Sequence, residues 1–399
     1  MGKYPSAIVI SENGSDSNWL GTNRSLGRKG IPVIKLSPKG WYPSKYCSTV
    51  ISPKISQEPQ KYVEFLLNLG EQLARREATK PFLMPASDNA LILLSKNKDS
   101  LKEYFVPIAA DWNCVEKIVD KSETYSSAKK LGIRVPETYT LDNLDYLSEI
   151  AKTVPFPCLV KPAYSHIFTV KFKTKLYEVN SEKELIKTCE PLFAQGHKLL
   201  IQEKILGGDD HVFDFSTCFN EHSEPLAVFT QRKLRQNPPN FGIGSFGESV
   251  WEPKIIDLGL RLLKGIGFFG IGMVEFKKDA VTGDYVLIEI NGRSSTRMYL
   301  ATVCGLNIPY ILYKDLMVER QEPVSSYECK YKVGMKWVHL KLDFLTMLQK
   351  RKMGEITVYS WLQSLLIRKM TFGIFSMEDP APFFSEVKDS LVNLRKFIY

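Results

Sequence analysis

The segment from Gly272 to Arg297, which reads GMVEFKKDAVTGDYVLIEINGRSSTR, holds the residues of this chain that could best bind a metal ion and a phosphate group. Two apolar-rich runs, Gly272–Phe276 and Tyr285–Ile290, flank the sequence Thr282-Gly283-Asp284, which is a strong turn signal. This order predicts a β-hairpin.

Four polar side chains of the hairpin are expected to form one site. A turn centred on Thr282 places Glu275 opposite Glu289, and two adjacent carboxylates repel each other unless a cation lies between them. Because strand residues alternate between faces, Asn291 and Arg293 follow on the side of Glu289. Carboxylate and amide oxygens suit Mg²⁺, and a guanidinium suits phosphate oxygens. The alternative is a solvent-facing acidic strand, but the strongly apolar residues in between favour the metal and phosphate site.

The beginning of the chain predicts a βαβ unit. Ala7–Ile10 is expected to be a strand, Leu20–Lys29 a helix and Ile31–Leu36 a second strand. The polar loop after the first strand lies where open α/β sheets bind ligands, although it lacks the G-x-G-x-x-G spacing of a dinucleotide site. Asn13 of this loop is therefore a candidate substrate contact, and an ordinary surface loop is an equally good interpretation.

Residues in the middle of the chain could bind a nucleotide. Lys121 opens a predicted helix and Lys161 ends a predicted strand, and an ammonium group at such a position can bind phosphate oxygens or remain solvated. The apolar strand Leu199–Ile205 can offer backbone groups to the edge of an adenine. One carboxylate of the following pair, Asp209 and Asp210, can hydrogen-bond ribose hydroxyls.

Two loops are expected to move over such a site. The stretch Gln236–Ser249 is rich in Gly, Pro and Asn, which is typical of a mobile active-site loop. The second loop is Ser165–Thr174. Both are predicted to close over the nucleotide, because a reactive intermediate must be kept from water.

A candidate carboxylate-binding group follows the hairpin. Ser294, Ser295 and Arg297 stand at the start of a predicted helix, where hydroxyls, backbone N–H groups and a guanidinium can receive an acid. The alternative is that Ser294 only caps the helix.

The composition bounds the class of protein. The chain has 399 residues, enough for two or three domains, and a net charge of +9 that favours anions such as nucleotides or a membrane surface. No dense basic run with interleaved aromatic residues favours nucleic acid, and Lys350-Arg351-Lys352 is interpreted as a solvated face. Seven scattered cysteines favour reduced thiols in the cytoplasm. Neither a signal peptide nor a membrane span is expected, and Gly2 alone is weak evidence for myristoylation.

The order of these features resembles the ATP-grasp superfamily. The features are Asp-Lys before a helix, G-I-x-V-P, P-x-L-V-K-P, Q-E-K-I with G-G-D-D, K-L-R-Q-N-P, V-E-F and I-E-I-N-G-R. The similarity is greatest to ATP-dependent carboxylate–amine ligases, including D-aspartate ligase-like and carbamoyl-phosphate-synthase-like members, and it spans roughly Ala7 to Met317. The chain departs from the family in having Gly292 where such ligases often have proline, and in lacking glycines after Lys161.

The resemblance implies an α/β and α+β fold with four parts. These are a Rossmann-like preATP-grasp domain (1–114), a central lid subdomain (115–200), a C-terminal ATP-grasp subdomain with the metal site (201–320) and a C-terminal extension (321–399). The two ATP-grasp subdomains would hold the nucleotide between them.

The resemblance also implies roles for individual residues. Lys121 and Lys161 would contact the ATP phosphates, and the run Gln202, Glu203, Lys204 and Ile205 would face adenine. Asp210 would hold the ribose. Lys233 and Arg235 would reach the terminal phosphate or the acyl intermediate, and Arg293 would steady the transferred phosphoryl group. Glu275, Glu289 and Asn291 would bind two Mg²⁺ ions, or Mn²⁺ in their place.

The expected activity is the ATP-dependent joining of a carboxylate to an amine through an acylphosphate, with release of ADP and phosphate. The partners would be small acids and amines such as amino acids, with neither nucleic acid nor a membrane span, and a homodimer is one expected assembly. The alternatives are an ATP-grasp enzyme that phosphorylates or carboxylates a small molecule, and a nucleotide-binding protein without turnover.

Overall fold

The structure is a computed structural model that describes residues 4–12, 17–38, 43–162, 176–196, 199–324, 328–366 and 369–398. Two expectations therefore lie outside the described residues: the substrate contact at Asn13 and the closing loop Ser165–Thr174. Gly2 lies outside them as well.

The described residues form sixteen strands and fourteen α-helices. The strands are β1 (Ala7–Ile10), β2 (Val33–Ser37), β3 (Ser48–Ile51), β4 (Phe82–Pro85), β5 (Val106–Pro107), β6 (Thr138–Leu141), β7 (Cys158–Pro162), β8 (Tyr177–Val179), β9 (Leu199–Glu203), β10 (Val212–Phe219), β11 (Pro225–Asn237), β12 (Ile243–Val250), β13 (Gly270–Lys278), β14 (Tyr285–Asn291), β15 (Lys336–Val338) and β16 (Met370–Phe372). The helices are α1 (Asn18–Gly27), α2 (Pro59–Ala74), α3 (Asp88–Lys96), α4 (Lys98–Leu101), α5 (Trp112–Val119), α6 (Lys121–Lys130), α7 (Leu147–Thr153), α8 (Glu182–Phe193), α9 (Pro253–Gly265), α10 (Tyr299–Val303), α11 (Ile308–Met317), α12 (Leu340–Lys352), α13 (Val358–Leu365) and α14 (Ala381–Ile398).

The chain divides into two compact units. One unit comprises residues 1–133, 208–276 and 289–399, and the other comprises residues 134–207 and 277–288. The four-part division expected from the sequence stays a prediction.

A parallel sheet of five strands, in the order β3-β2-β1-β4-β5, begins the larger unit. Its central strand β1 is completely buried, as its run of four apolar residues predicts. Ser87 caps α3 by accepting a hydrogen bond from the N–H of Ala90. These elements confirm the expected α/β organisation of the first part of the chain.

A seven-stranded sheet, in the order β14-β13-β10-β11-β12-β15-β16, carries most of the residues expected to do chemistry. β10 pairs antiparallel with β11, and β11 with β12. The predicted hairpin is present as β13 and β14, and Gly283 in its turn has a φ of 75°, which glycine adopts without strain. The sheet therefore brings the late hairpin and β11 into one layer.

The expectation of a mobile loop at Gln236–Ser249 is wrong for most of that stretch. β11 continues to Asn237 and β12 begins at Ile243, so only the short connection between them is irregular. The glycines serve close packing: a Cβ at Gly247 would lie 2.8 Å from the carbonyl oxygen of Arg232. This strand needs small residues where other groups approach closely, and a strand rich in glycine has the composition of a loop.

The smaller unit is built on an antiparallel sheet with the order β6-β9-β7-β8. Apolar residues of α7 and α8 pack on this sheet in one core, which includes Leu147, Leu185 and Ile201. Ser181 caps α8 by accepting a hydrogen bond from the N–H of Glu184. The unit is thus an α+β layer pair with its own core.

The region after residue 320 is integrated into the larger unit. β15 pairs with β12, and β16 pairs with β15. The guanidinium of Arg24 on α1 lies 3.0 Å from a carboxylate oxygen of Asp379 in a fully buried ion pair. The same carboxylate accepts a hydrogen bond from the hydroxyl of Ser44. Within the described ranges, no helix is both long and apolar enough to cross a bilayer.

Candidate active site

Glu275 on β13 and Lys233 on β11 form a buried ion pair, with 2.6 Å between Nζ and Oε2. The ammonium also donates a hydrogen bond of 2.9 Å to the side-chain oxygen of Gln236. Burial raises the pKa of Glu275 to about 7; the charge of Lys233 opposes this, and the carboxylates of Glu289 and Asp214 add to it. The neighbourhood of Glu275 is therefore rich in negative charge and shielded from water.

Glu289 and Asn291 on β14 are linked to Arg293. The amide of Asn291 donates a hydrogen bond of 3.1 Å to Glu289 and accepts one of 3.0 Å from Arg293. Burial raises the pKa of Glu289, but the charges of Lys121 and Lys233 and the hydrogen bond from Asn291 outweigh it and hold that pKa below its usual range. Glu289 is thus held as an anion beside the more easily protonated Glu275.

Arg293 is positioned by the N-terminal part of the larger unit. Its guanidinium donates to both carboxylate oxygens of Asp88, at 2.9 and 3.2 Å. Such a two-point contact fixes the orientation of the guanidinium plane. Asp88 lies directly after Ser87, the N-cap of α3, and its carboxylate joins this helix to the hairpin through Arg293.

Arg297 is almost completely buried against the same sheet. One guanidinium nitrogen lies 2.5 Å from Asp214 on β10, and the other lies 3.9 Å from Glu275. A Cβ at Gly244 would lie 2.9 Å from Nε of Arg297, so this strand position leaves room for the guanidinium. The structure therefore places Arg297 close to Glu275, and its expected contact with an acid stays a prediction.

The two serines before Arg297 have protein partners. The hydroxyl of Ser294 donates to the backbone carbonyl of Asn18, and that of Ser295 contacts the sulfur of Met273. Instead of one helix from Ser294 to Cys304, a 3₁₀ turn at Thr296–Met298 leads into α10. The serines therefore anchor this segment, and their expected contact with an acid stays a prediction.

The residues present fit a divalent cation. Among the described residues, no group of three or more His, Cys, Asp and Glu side chains could hold a metal. The expected set differs because it combines two carboxylates with an amide. Burial is the main cause of the raised pKa of Glu275, and the carboxylates of Glu289 and Asp214 raise it further, so a cation placed among these carboxylates would reduce their mutual repulsion.

Arg235 contacts a carboxylate that is not part of this cluster. It donates two hydrogen bonds, of 2.8 and 2.7 Å, to the carboxylate of Asp343 on α12. The carboxylate is fully buried and also accepts from the hydroxyl of Ser245 and from Nε1 of Trp361. Both oxygens are thus committed to structural contacts, so Arg235 is held as a packing element of the sheet rather than extended toward a phosphate.

The two carboxylates after β9 differ in their surroundings. Asp209 is buried and accepts from the backbone N–H groups of Gln236 and Asn240 and from the Gln236 side chain. Asp210 is exposed and lies 3.0 Å from the ring nitrogen Nδ1 of His211. Asp209 is therefore occupied in holding the end of β11, which favours Asp210 as the carboxylate that could meet a ligand.

The remaining nucleotide candidates lie at the strand ends of the smaller unit and at a helix start of the larger one. In the smaller unit, Lys161 donates to the side-chain oxygen of Gln202 over 2.5 Å, and Glu203 accepts from Arg134 and from the backbone of Glu137. Lys204 pairs with Glu178 at 2.5 Å. In the larger unit, Lys121 is exposed at the first position of α6, which Asp120 caps.

Sequence reasoning missed Asp214, Asp88 and Asp343 as partners of the three arginines. Each is far from its arginine along the chain, up to 205 residues for Arg293 and Asp88. The only local signal was the alternation of β10, where the polar Asp214 stands between Phe213 and Phe215.

Comparisons with known proteins were made for the whole chain. No family model matches it. The chain is 22% identical over 330 residues to the D-aspartate ligase of Enterococcus faecium, which covers 79% of this chain and 78% of that protein. It is 25% identical over 227 residues to the carbamoyl phosphate synthase large chain of Haemophilus ducreyi and spans only 20% of that protein's length.

Solved structures match the fold. The biotin carboxylase complex with β-γ-ATP from Campylobacter jejuni has a TM-score of 0.60 at 18% identity, with 83% of this chain and 74% of that chain covered. The L-amino acid ligase from Bacillus licheniformis has a TM-score of 0.59 at 15% identity, with 84% and 79% covered. The biotin carboxylase domain of Hydrogenobacter thermophilus 2-oxoglutarate carboxylase, in complex with MgADP and bicarbonate, has a TM-score of 0.60 at 14% identity, with 84% and 74% covered. These structures show that the chain shares their fold.

Proposed function

We infer that the chain is an ATP-dependent carboxylate–amine ligase with the ATP-grasp fold, which activates an acid as an acylphosphate and couples it to an amine. The observation that carries this inference is the cluster of the buried Glu275 and Lys233 with the half-buried Glu289 on one sheet, with Arg293 and Arg297 beside it. The similarity to D-aspartate ligase over most of both chains supports the same reaction class.

The chemistry explains why such a cluster is needed. A carboxylate does not react with an amine at neutral pH, because oxide is a very poor leaving group. Transfer of the ATP γ-phosphoryl group to the carboxylate gives an acylphosphate and ADP, and the amine then displaces phosphate to form the amide. The charge on the moving phosphoryl group is the main obstacle, so fixed positive groups lower the barrier.

Glu275, Glu289 and Asn291 would hold Mg²⁺, and we propose two ions. When bound, the metal neutralises charge on the phosphates and helps to align them. Lys233 is already directed at Glu275, and we propose that its ammonium binds a terminal phosphate oxygen. Arg293, fixed by Asp88 and Asn291, would bind another oxygen of the same group.

Each unit has residues that we propose to contact the nucleotide. We propose that Lys121 and Lys161 bind ATP phosphates and that Gln202, Glu203 and the backbone of the next two residues face adenine. Asp210 is proposed for the ribose, since Asp209 is occupied. The similar structures that contain ATP analogues or MgADP support these nucleotides as ligands.

The acid is proposed to be an amino acid or a small molecule of that kind. Arg297, buried beside Glu275 and held by Asp214, is the guanidinium placed to receive its carboxylate. The names D-aspartate ligase and L-amino acid ligase of two similar proteins support an amino acid as one substrate.

Trapping with hydroxylamine tests the reaction without knowledge of the amine. The purified chain is incubated with Mg-ATP, hydroxylamine and a panel of amino acids, and both ADP and hydroxamate are measured. We expect ADP release that depends on one class of acid, with an equal amount of the corresponding hydroxamate by mass. ADP release with a stable phosphorylated product, or with bicarbonate as the only acid used, would instead support the phosphorylating or carboxylating alternative.

Glu275→Gln provides the site-specific test. Removing the charge should lower turnover by about 10²–10³-fold, since it weakens the cation site that stabilises the transferred phosphoryl group. Glu248→Gln is the matched control, because Glu248 is a partly buried carboxylate on β12 of the same sheet, paired with Arg232 and Lys336. Equal losses in both variants would show that Glu275 has no special role.

A further inference from the structure

The helix α12 buries polar side chains and exposes apolar ones. Its inner face carries Asp343 and Thr346, both with no exposed surface, together with Met347. Its outer face carries Phe344, Leu345 and Leu348, with exposures of 46%, 40% and 38%. A surface helix normally buries its apolar stripe and exposes its polar one. The outward stripe of α12 is therefore left uncovered by the residues that the structure describes.

The next helix extends this apolar surface. Tyr359, Leu362 and Leu366 follow at helical spacing and are 71%, 49% and 83% exposed. α13 has no buried residue, although most of its residues are apolar. The rings of Phe344 and Trp361 are 6.0 Å apart, so the two helices lie side by side. The hairpin face, as we name it, consists of Phe344, Leu345, Leu348, Tyr359, Leu362 and Leu366.

Exposed basic side chains lie at both ends of α12, beside the hairpin face. Arg351 and Lys352 are exposed at one end of α12, and Lys341 is exposed at the other, where it also faces Glu386. The only acid of α12 is Asp343, which is buried and neutralised by Arg235. α13 has no charged residue, and Glu355 between the helices is paired with Lys350. Arg351 and Lys352, two residues of the basic run that the sequence suggested to be a solvated face, thus border an apolar surface.

We propose that the hairpin face binds an anionic lipid surface, with α12 and α13 lying along the interface. Exposed apolar side chains bordered by Lys and Arg are what an anionic bilayer accommodates, because the apolar groups enter the acyl boundary and the cations meet lipid phosphates. A second copy of the chain is less suitable, since a two-fold contact through this face would bring its basic rims together. This proposal is independent of the ligase reaction.

Vesicle sedimentation tests the proposal. The full chain is mixed with 100 nm vesicles of phosphatidylcholine alone, or of phosphatidylcholine with phosphatidylglycerol in equal amounts, and the bound fraction is measured. We expect binding to the anionic vesicles, at least tenfold weaker binding to the neutral ones, and release at high salt. Leu362→Gln with Leu366→Gln should weaken binding to anionic vesicles at least tenfold, and Arg351→Gln with Lys352→Gln should weaken it severalfold.

Val281→Gln is the matched control, because Val281 is 75% exposed but lies outside the hairpin face. It should bind anionic vesicles as the unchanged protein does, and the leucine variant should keep its ATP turnover and thermal stability. Two results would overturn the proposal. One is the absence of binding to anionic vesicles, or equal binding by the leucine variant. The other is a dimer mass in solution that the leucine variant reduces to a monomer.

Discussion

The buried pair of Arg235 and Asp343 should be essential to the stability of the larger unit. Replacing Asp343 by Asn leaves the Arg235 guanidinium, whose side chain is only 10% exposed, without an anion. Breaking a buried ion pair by removing one partner costs about 3–5 kcal/mol. Asp343→Asn should be at the upper end of this range, and Arg235→Met at about 3 kcal/mol, because the carboxylate keeps the donors Ser245 and Trp361.

The double variant Arg235→Met with Asp343→Leu separates the ion pair from the other contacts. It removes both charges, so the remaining loss comes from the two donors left without an acceptor, at about 1 kcal/mol each. The double variant should therefore lose only about 2 kcal/mol. The sum of the single losses exceeds this by at least about 4 kcal/mol, which is the expected coupling energy.

Equilibrium unfolding in urea, followed by tryptophan fluorescence, gives these values for each variant. The slope of each transition must stay constant for the comparison to hold. If the double variant is destabilised by the sum of the two single losses, the pair is not coupled and the reasoning is refuted. Lys102→Gln is a suitable control, because its pair with Asp99 is solvent-exposed and should contribute little.

Two further predictions concern stability. Burial lowers the pKa of His339 to about 4 in the native chain. In the unfolded chain this side chain has a pKa near 6.5, so between these two values it binds a proton only in the unfolded chain. The contribution of His339 to stability should be fully present above about pH 6.5, and the free energy of unfolding should fall by about 2 kcal/mol on acidification to pH 5. His339→Gln should weaken this pH dependence in urea unfolding, and an unchanged pH dependence would contradict the prediction. Asp379→Asn, which removes the anion facing the buried Arg24, should cost about 3–5 kcal/mol in the same assay, whereas Glu378→Gln, at an exposed pair with Arg28, should cost far less. Equal losses would argue against it.

The sequence was sufficient for elements whose signal is local. The hairpin of β13 and β14 follows from its turn residues, and the strand β1 follows from its apolar run. It was insufficient for β12, because glycine leaves no side-chain pattern to read. Gly244 and Gly247 are needed where other groups approach closely, and this cause cannot be distinguished from flexibility in a sequence.

The site residues also differ in whether a local sequence signal predicts where they lie. Glu275, Glu289 and Asn291 come from one hairpin, so their proximity could be inferred from strand geometry. The partners of the arginines depend on tertiary contacts: Arg235 was expected at a phosphate, and its pairing with Asp343 spans 108 residues. Charge complementarity over such distances leaves no signal in a single sequence.

The pair of Arg24 and Asp379 also bears on how the chain is made. The two residues are 355 positions apart, so the guanidinium of α1 leaves the ribosome long before its anion exists. At about 5–20 residues per second, the interval is on the order of 20–70 s. During that time the nascent N-terminal sheet cannot bury this cation at its final depth without a large penalty. Its last packing step therefore waits until Asp379 has been synthesised, and a chain cut short before Asp379 should be a substrate for proteases.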